Sequence, residues 1–340
     1  MFRVGLTRDF LKPDGSIGFG DIGLDLFTSA GIAWEFLPHL DAEILPEHAQ
    51  DYDGLLVLAP RVSSRTVQEV GRLKIVARFG VGYDNVDVAA CTQAGILLTI
   101  TPEGVRRPVA VAALTFLLAL SHKLLVKDRL TREGRWSDKL NFIGQGVTGR
   151  TLGIIGLGNI GRELAMLAKP FELRIIAHDP WVDANHVAQA GVRLVSLDDL
   201  LRQADYVCIC CALTPQTHHL FNESRLGLMK KTAYLINVAR GPIVDQQALL
   251  HVLRTGQIQG AGLDVFEQEP IAQDDPILTL DNVILSPHAL CWTDECFGLN
   301  GRSAIMSLID VARGIVPRNV VNRDALAHER LRYLKQREME

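Results

Sequence analysis

No stretch of this sequence stays apolar long enough to span a membrane; the longest such run, beginning near residue 109, meets His122 and Lys123 too early. Positive charge is not in excess either. The 340 residues hold 35 Lys and Arg against 39 Asp and Glu, a net charge of −4 with no basic stripe, which argues against nucleic acid as a partner. The opening MFRVGLTRDF carries Arg3, Arg8 and Asp9 among its apolar residues, so it predicts a first strand rather than a signal peptide. Internal repeats and low-complexity segments are lacking too. These absences lead to the expectation of a cytoplasmic protein with neither membrane nor nucleic acid as partner.

Cysteine is scarce, six in all. Cys208 and Cys211 have CxxC spacing, but they lie with Cys210 in the apolar run DYVCICCAL, which reads as a buried strand. On a strand, residues i and i+3 point to opposite faces, so the two thiols would not share a metal, and no metal site is expected. Cys291, close to His288, is the one cysteine placed to line a site.

What is present is a chain that is 48% hydrophobic and 22% charged, long enough for two domains of ordinary size. FRVGLTR, AWEFLP, GLLVLAP, KIVARFG and GILLTITP read as strands, with helices around 21–30, 63–71 and 84–94. That alternation predicts a parallel sheet covered by helices. Pro102 marks a break. A long helix, apolar on more than one side, is then expected from about 109. A second βα series runs through TLGII, LRIIAHD, DYVCICC, AYLINVA, GAGLDVF and NVILSPH. Another apolar helix is expected near 296–313, followed by a strand-like return at IVPRNVVN. The charged tail HERLRYLKQREME reads as an exposed helix.

Three polar residues follow apolar runs in the second series: Arg240 after AYLINVA, Glu269 after GAGLDVF, and His288 after NVILSP. The carboxyl ends of strands form the ligand crevice of an open parallel sheet. A guanidinium, a carboxylate and an imidazole on that edge make an anion clamp with an acid/base. Taken singly, each has an ordinary reading: a strand cap, a solvated turn before Pro270, a surface ion pair.

Gly156-Leu157-Gly158-Asn159-Ile160-Gly161 follows the strand TLGII and opens a helix. There the glycines permit a tight turn, close approach of a pyrophosphate and close helix–strand packing, while free amides at the helix start hold phosphate. Asp179 lies about 20 residues on, the distance for a carboxylate that accepts from ribose hydroxyls. It would repel a 2′-phosphate, and Pro180-Trp181 offers no compensating cation, so NAD rather than NADP is expected. A turn aspartate before proline is the plainer alternative.

In these motifs the chain resembles the D-isomer-specific 2-hydroxyacid dehydrogenases, phosphoglycerate dehydrogenases and glyoxylate/hydroxypyruvate reductases among them. The matching segments are GRTLGIIGLGNIGRE, His178-Asp179-Pro180, LINVARGPIVDQQAL, GAGLDVFEQEP, Ser286-Pro287-His288 and RFGVGYDNVD at 78–87. The resemblance implies two Rossmann-like, doubly wound α/β domains. A flavodoxin-like substrate domain (1–102 and 297–340) would carry an inserted NAD domain (103–296), the cleft between them closing on substrate. It implies that Arg240 binds the substrate carboxylate and keto oxygen, that His288 exchanges a proton with that oxygen, and that Glu269 holds His288 protonated. Asp264 would lie near the nicotinamide, Cys211 and Ala239 would join the cofactor contacts, and Val81 and Gly82 would hold the carboxylate through their backbone.

The resemblance further implies a homodimer, with the helix at 109–126 and the arm RLTREGRWSDKLNF at its interface, and a small anionic 2-hydroxy or 2-keto acid as substrate. The retained Glu269 points away from the formate dehydrogenase branch, which has an amide there. The chain is also expected to lack the appended regulatory domain of long phosphoglycerate dehydrogenases. An alternative of another class is an NAD(H)-sensing, corepressor-like binding protein on the same scaffold.

The chain departs from the family after Thr101-Pro102. Val105, Arg106 and Val111 stand where an Asn, a Ser or Thr, and a Glu are usual. Arginines at a helix start oppose the helix dipole unless an anion compensates. Two readings follow. Arg106 or Arg107 contacts a second anionic group on the substrate or the pyrophosphate, or the pair is a solvated hinge partnered by Glu103. Trp292 either closes the substrate pocket or anchors the next helix, and Arg78 is either an anion contact or a buried ion-pair member.

Overall fold

The computed structural model describes residues 1–38, 42–69, 71–183, 187 and 191–336. The chain divides into two compact units, Met1–Val105 with Trp292–Glu340, and Arg106–Cys291. In the first unit, β1 (Arg3–Leu6), β2 (Ala33–Phe36), β3 (Gly54–Val57), β4 (Ile75–Arg78) and β5 (Leu97–Thr99) form a parallel sheet of order β2-β1-β3-β4-β5. Helix Asp294–Ala312 covers one face. Its Leu308 approaches Gly54 so closely that a Cβ there would lie 2.5 Å from the leucine methyl. Every residue of β3 is buried, the pattern of a strand covered on both faces.

The second unit holds β6 (Thr151–Ile155), β7 (Arg174–His178), β8 (Val192–Leu194), β9 (Tyr206–Ile209), β10 (Tyr234–Asn237), β11 (Gly260–Leu263) and β12 (Val283–Leu285). All pair in parallel, in the order β12-β11-β10-β9-β6-β7-β8. Alternation along each strand feeds two cores. Leu152, Ile154, Tyr234 and Ile236 join Phe116 on one face, and Ile155 and Leu235 join Leu200, Phe221 and Leu253 on the other. Gly262 lets helix Pro102–Ser121 come close, since a Cβ there would meet the Phe116 ring at 2.7 Å. Strand order reverses between β6 and β9, so the loops after those strands flank the crevice where ligands bind in such sheets.

Several expected elements differ. Residues 63–69 form turns rather than a helix, and residue 70 lies outside the described residues. The Thr66 hydroxyl accepts from the Ser63 amide and donates to the Ile44 carbonyl at 2.5 Å, side-chain bonds that compete with a helix ladder. The helix expected from 109 begins at Pro102 and passes through Pro108. Proline is well suited to a first helical position, and Pro108 forgoes only one bond, to the carbonyl of Gly104. That helix stops at Ser121, and a second (Leu124–Arg132) starts after Lys123, whose φ is 52°. Among the described residues, Pro102–Ser121 is the one helix long and apolar enough to cross a membrane, yet 61% of its apolar window is buried, as in a core helix.

Strand β8 and helix Leu197–Gln203 were not anticipated, β8 being only three residues long. IVPRNVVN makes isolated bridges from Ile315 and Val320 instead of a strand. The tail has one short 3-10 turn, Glu329–Leu331, and buries Leu331; residues 337–340 lie outside the described residues. Apolar Leu331 and Leu334 dock it on the first unit's core, which the charge pattern concealed.

Candidate active site

The three glycines of the loop after β6 have three distinct reasons to be glycine. Gly156 has φ 88°, and a Cβ there would meet the backbone of Cys211 at 2.7 Å. A Cβ on Gly161 would lie 2.2 Å from the Gly156 carbonyl oxygen, so helix Asn159–Ala168 seats against β6 only without one. A Cβ on Gly158 would meet nothing within 4 Å. The protein leaves that position open, and no side chain caps the helix that Gly158 precedes. Open space before uncapped amides is what a phosphate group needs, so these residues fit a dinucleotide.

Asp179, just past β7, accepts from the Leu157 amide at 2.8 Å and the Trp181 amide at 2.9 Å. It is thus both a turn former and a brace of the glycine loop, and each oxygen keeps a lone pair for a hydroxyl donor. Cys210 and Cys211 fall beyond β9, which ends at Ile209, rather than inside the strand as expected. Close approach of Gly156 turns the chain there and places Cys211 against the loop. Burial pushes the Cys211 thiol up to about 12, the Cys210 thiol and the Asp179 charge adding to it, so it is an inert wall. No group of His, Cys, Asp and Glu suited to a metal occurs among the described residues.

Strands β10, β11 and β12 are consecutive neighbours, and the chain carries Arg240, Glu269 and His288 past their carboxyl ends. Buried Asn237 shapes the first of these turns: its amide donates to the Arg240 carbonyl at 3.0 Å, and its oxygen accepts from the Ala239 amide at 3.1 Å. Arg240 Nη1 donates to the Ala239 carbonyl at 2.8 Å. Gly241 abuts the backbone of Phe266, where a Cβ would lie 1.8 Å from the carbonyl oxygen.

Glu269 Oε1 accepts from the Phe266 amide at 2.9 Å, and Oε2 meets His288 Nδ1 at 2.8 Å. Burial pushes this carboxyl up. The hydrogen bonds from His288 and the Phe266 amide, with the charges of His288 and Arg240, outweigh that and hold it below the usual glutamate value. Those bonds leave Nε2 of His288 as the ring atom for other partners. His288 has φ 55°, and its loop is held by Asp264, whose Oδ1 accepts from the Ala289 and Leu290 amides at 3.0 Å each. Desolvation raises the Asp264 carboxyl, opposed by bonds from Leu290, Ser286 and Ala289 and by the His288 charge.

Asn237 and Gly241 were missed by the sequence reading. Their only signals were an amide closing an apolar strand and a glycine directly after Arg240. Glu163 was missed as well. It is 8% exposed on the helix after the glycine loop, and it pairs with Arg107 at 2.9 Å and Arg106 at 3.4 Å. Glu103 instead accepts from Asn319.

In the first unit, Arg78 closes β4 and its guanidinium donates to the Phe79 carbonyl. Val81 and Gly82 follow in a half-buried loop, tied at Gly80 to Thr101 by bonds of 2.8 and 3.0 Å. Trp292 belongs to this unit. It packs on Phe19 and Phe297 with ring centroids 5.2 and 5.5 Å away, and it remains 51% exposed.

Two parallel α/β units, an open glycine-rich loop braced by Asp179 at a switch point, and an Arg–Glu–His set on the same sheet edge fit a nicotinamide-dependent dehydrogenase. The family model for the NAD-binding domain of D-isomer-specific 2-hydroxyacid dehydrogenases matches residues 114–289, and the chain belongs to that family. The glyoxylate reductase of Korarchaeum cryptofilum is 39% identical over 288 residues, covering 84% of this chain and 87% of that protein. The TT0316 protein of Thermus thermophilus shares 31% identity at a TM-score of 0.84, over 94% of this chain and 100% of its own. A D-lactate dehydrogenase of Aquifex aeolicus, solved in complex with NAD and lactic acid, shares 25% identity at a TM-score of 0.80, over 94% and 99% of the two chains. The protein is an NAD-dependent oxidoreductase acting on the CH–OH group of 2-hydroxy acids.

Proposed function

We propose that the protein reduces a small 2-oxo acid to its 2-hydroxy acid, glyoxylate to achiral glycolate first among the candidates and larger 2-keto acids to their D-isomers, and runs the reverse reaction with NAD. NADH, when bound, supplies the hydride. Arg240 grips the substrate carboxylate through its planar fork. As hydride adds to the keto carbon, charge grows on the oxygen, and His288 Nε2 delivers a proton there while Arg240 stabilises the charge. Glu269 fixes the ring through Nδ1 and compensates its positive charge. The observation that carries this reading is the 2.8 Å His288–Glu269 bond in reach of the Arg240 charge.

The pairing of both hinge arginines with Glu163 supports a small substrate. A nearly buried carboxylate is costly without partners, and Arg106 and Arg107 are those partners, so we assign them to it rather than to a second anionic group. Backbone groups of Val81 and Gly82 are assigned to the carboxylate, and Trp292 to the ring cluster of its own unit. We also infer a homodimer, because Leu124, Leu125, Trp136, Leu140 and Ile143 leave exposed apolar surface along the helix Leu124–Arg132 and the arm that follows it.

A kcat/KM panel of glyoxylate, hydroxypyruvate, phosphohydroxypyruvate and branched 2-keto acids with NADH and NADPH tests the proposal. Glyoxylate turnover favouring NADH is expected. NADH binding with no consumption across the panel would support a cofactor-sensing binding protein instead.

A further inference from the structure

A second histidine–glutamate pair stands beside the first. His219 Nε2 lies 2.6 Å from Glu267 Oε1, and Glu267 shares its loop with Glu269. His219, like His288, is a non-glycine residue in the left-handed region, at φ 47°. Such backbone costs energy and persists where the surroundings over-determine it.

The pair brackets the turn that carries Arg240. On one side of that turn, the His219 amide donates to the Pro242 carbonyl at 2.9 Å and the Phe221 amide to the Ile243 carbonyl at 3.1 Å. On the other side, Gly241 rests on the backbone of Phe266 with no room for a side chain. The imidazole and the carboxylate close the ring across the turn. Glu267 is itself braced by Gln246, whose amide donates to Oε2 at 3.2 Å and whose side-chain oxygen accepts from the Glu267 amide at 3.1 Å. The His218 ring stacks on His219 at 4.1 Å.

We propose that His219 and Glu267 are positioning residues for the carboxylate-binding Arg240, setting its distance from the Glu269–His288 pair. The inference rests on the dehydrogenase reading above. Among the described residues no hydrogen bond or ion pair joins either residue to the glycine loop, so the tie is expected to act on substrate rather than on cofactor. A guanidinium displaced by about 1 Å loses much of its two-point grip on a carboxylate.

The test is steady-state kinetics of His219→Ala, His219→Gln and Glu267→Gln with glyoxylate, alongside NADH Kd. For His219→Ala, KM is expected to rise about tenfold, kcat to fall less, and NADH Kd to stay within about twofold. His219→Gln, whose amide nitrogen reaches the same place, should recover most of the loss. Glu267→Gln keeps the shape of the loop and should repeat the KM-selective defect if His219→Ala does not fold. Unchanged KM in both His219→Ala and Glu267→Gln would overturn the inference while leaving the dehydrogenase intact. So would KM, kcat and NADH Kd worsening together with no rescue by glutamine, the mark of a general structural role. A wild-type protein that consumes no NADH would sink the reading itself, and the inference with it.

Discussion

Replacing Glu269 by Gln probes the site at its narrowest point. Both glutamate oxygens accept: Oε1 from the Phe266 amide and Oε2 from His288 Nδ1. An amide has one accepting oxygen, so its NH2 must face either the Phe266 N–H or the histidine. If the oxygen stays on Phe266, the NH2 donates to Nδ1 and fixes a neutral imidazole whose proton sits on Nε2. That ring cannot act as an imidazolium acid. A hydrogen bond to a charged group is worth about 1.5–3 kcal/mol, and the exposure of this pair (46% and 36%) roughly halves that. Loss of general-acid transfer adds a factor of about 100 or more. The expected result is kcat for glyoxylate reduction down at least about 100-fold, about 2.7 kcal/mol or more in the barrier, with NADH Kd within about twofold. A fall of less than about threefold would refute the proton-transfer role of the pair.

The glycine loop separates steric from ligand effects. Gly158→Ala should leave Tm unchanged and weaken NADH at least about tenfold, whereas Gly161→Ala should lower both, its Cβ meeting the Gly156 carbonyl; thermal melts and NADH titration distinguish them. Asp264 has a raised carboxyl, so the stability it contributes is present below the ordinary aspartate range and lost as pH rises through the raised value. Asp264→Asn should therefore gain Tm relative to wild type at about pH 7.5 compared with about pH 4, and an equal offset at both would contradict the desolvation argument. Glu269 runs the other way: its lowered carboxyl stabilises above the ordinary glutamate value, and that contribution disappears as pH falls through the folded value. Leu140→Asp with Ile143→Asp should convert a dimer to monomers in sedimentation; an unchanged sedimentation profile would place the interface elsewhere.

Much of this was legible in the sequence because it depended on local pattern. Buried parallel strands read as apolar runs, and Gly156, Gly158 and Gly161 stand between a strand and a helix where their spacing has meaning. What stayed hidden depended on long-range partners. Nothing near Arg106 in the sequence points to Glu163, 57 residues away, so the arginines looked available for substrate. Asp264 read as a cofactor neighbour, while its carboxylate clamps the loop of His288 through backbone amides that no motif encodes. Thr66 melted an expected helix through bonds to residues 63 and 44. Pro108, a helix breaker by propensity, sits inside one because the core on Phe116 outweighs the lost bond.

The most direct measurement is kcat/KM for glyoxylate in Arg240→Ala relative to wild type, with NADH Kd determined on the same samples. The expected result is a loss of at least about 100-fold, in kcat as well as in KM, with cofactor affinity unchanged. Undiminished turnover in the variant would remove Arg240 from the substrate and contradict the site assembled here at the ends of β10, β11 and β12.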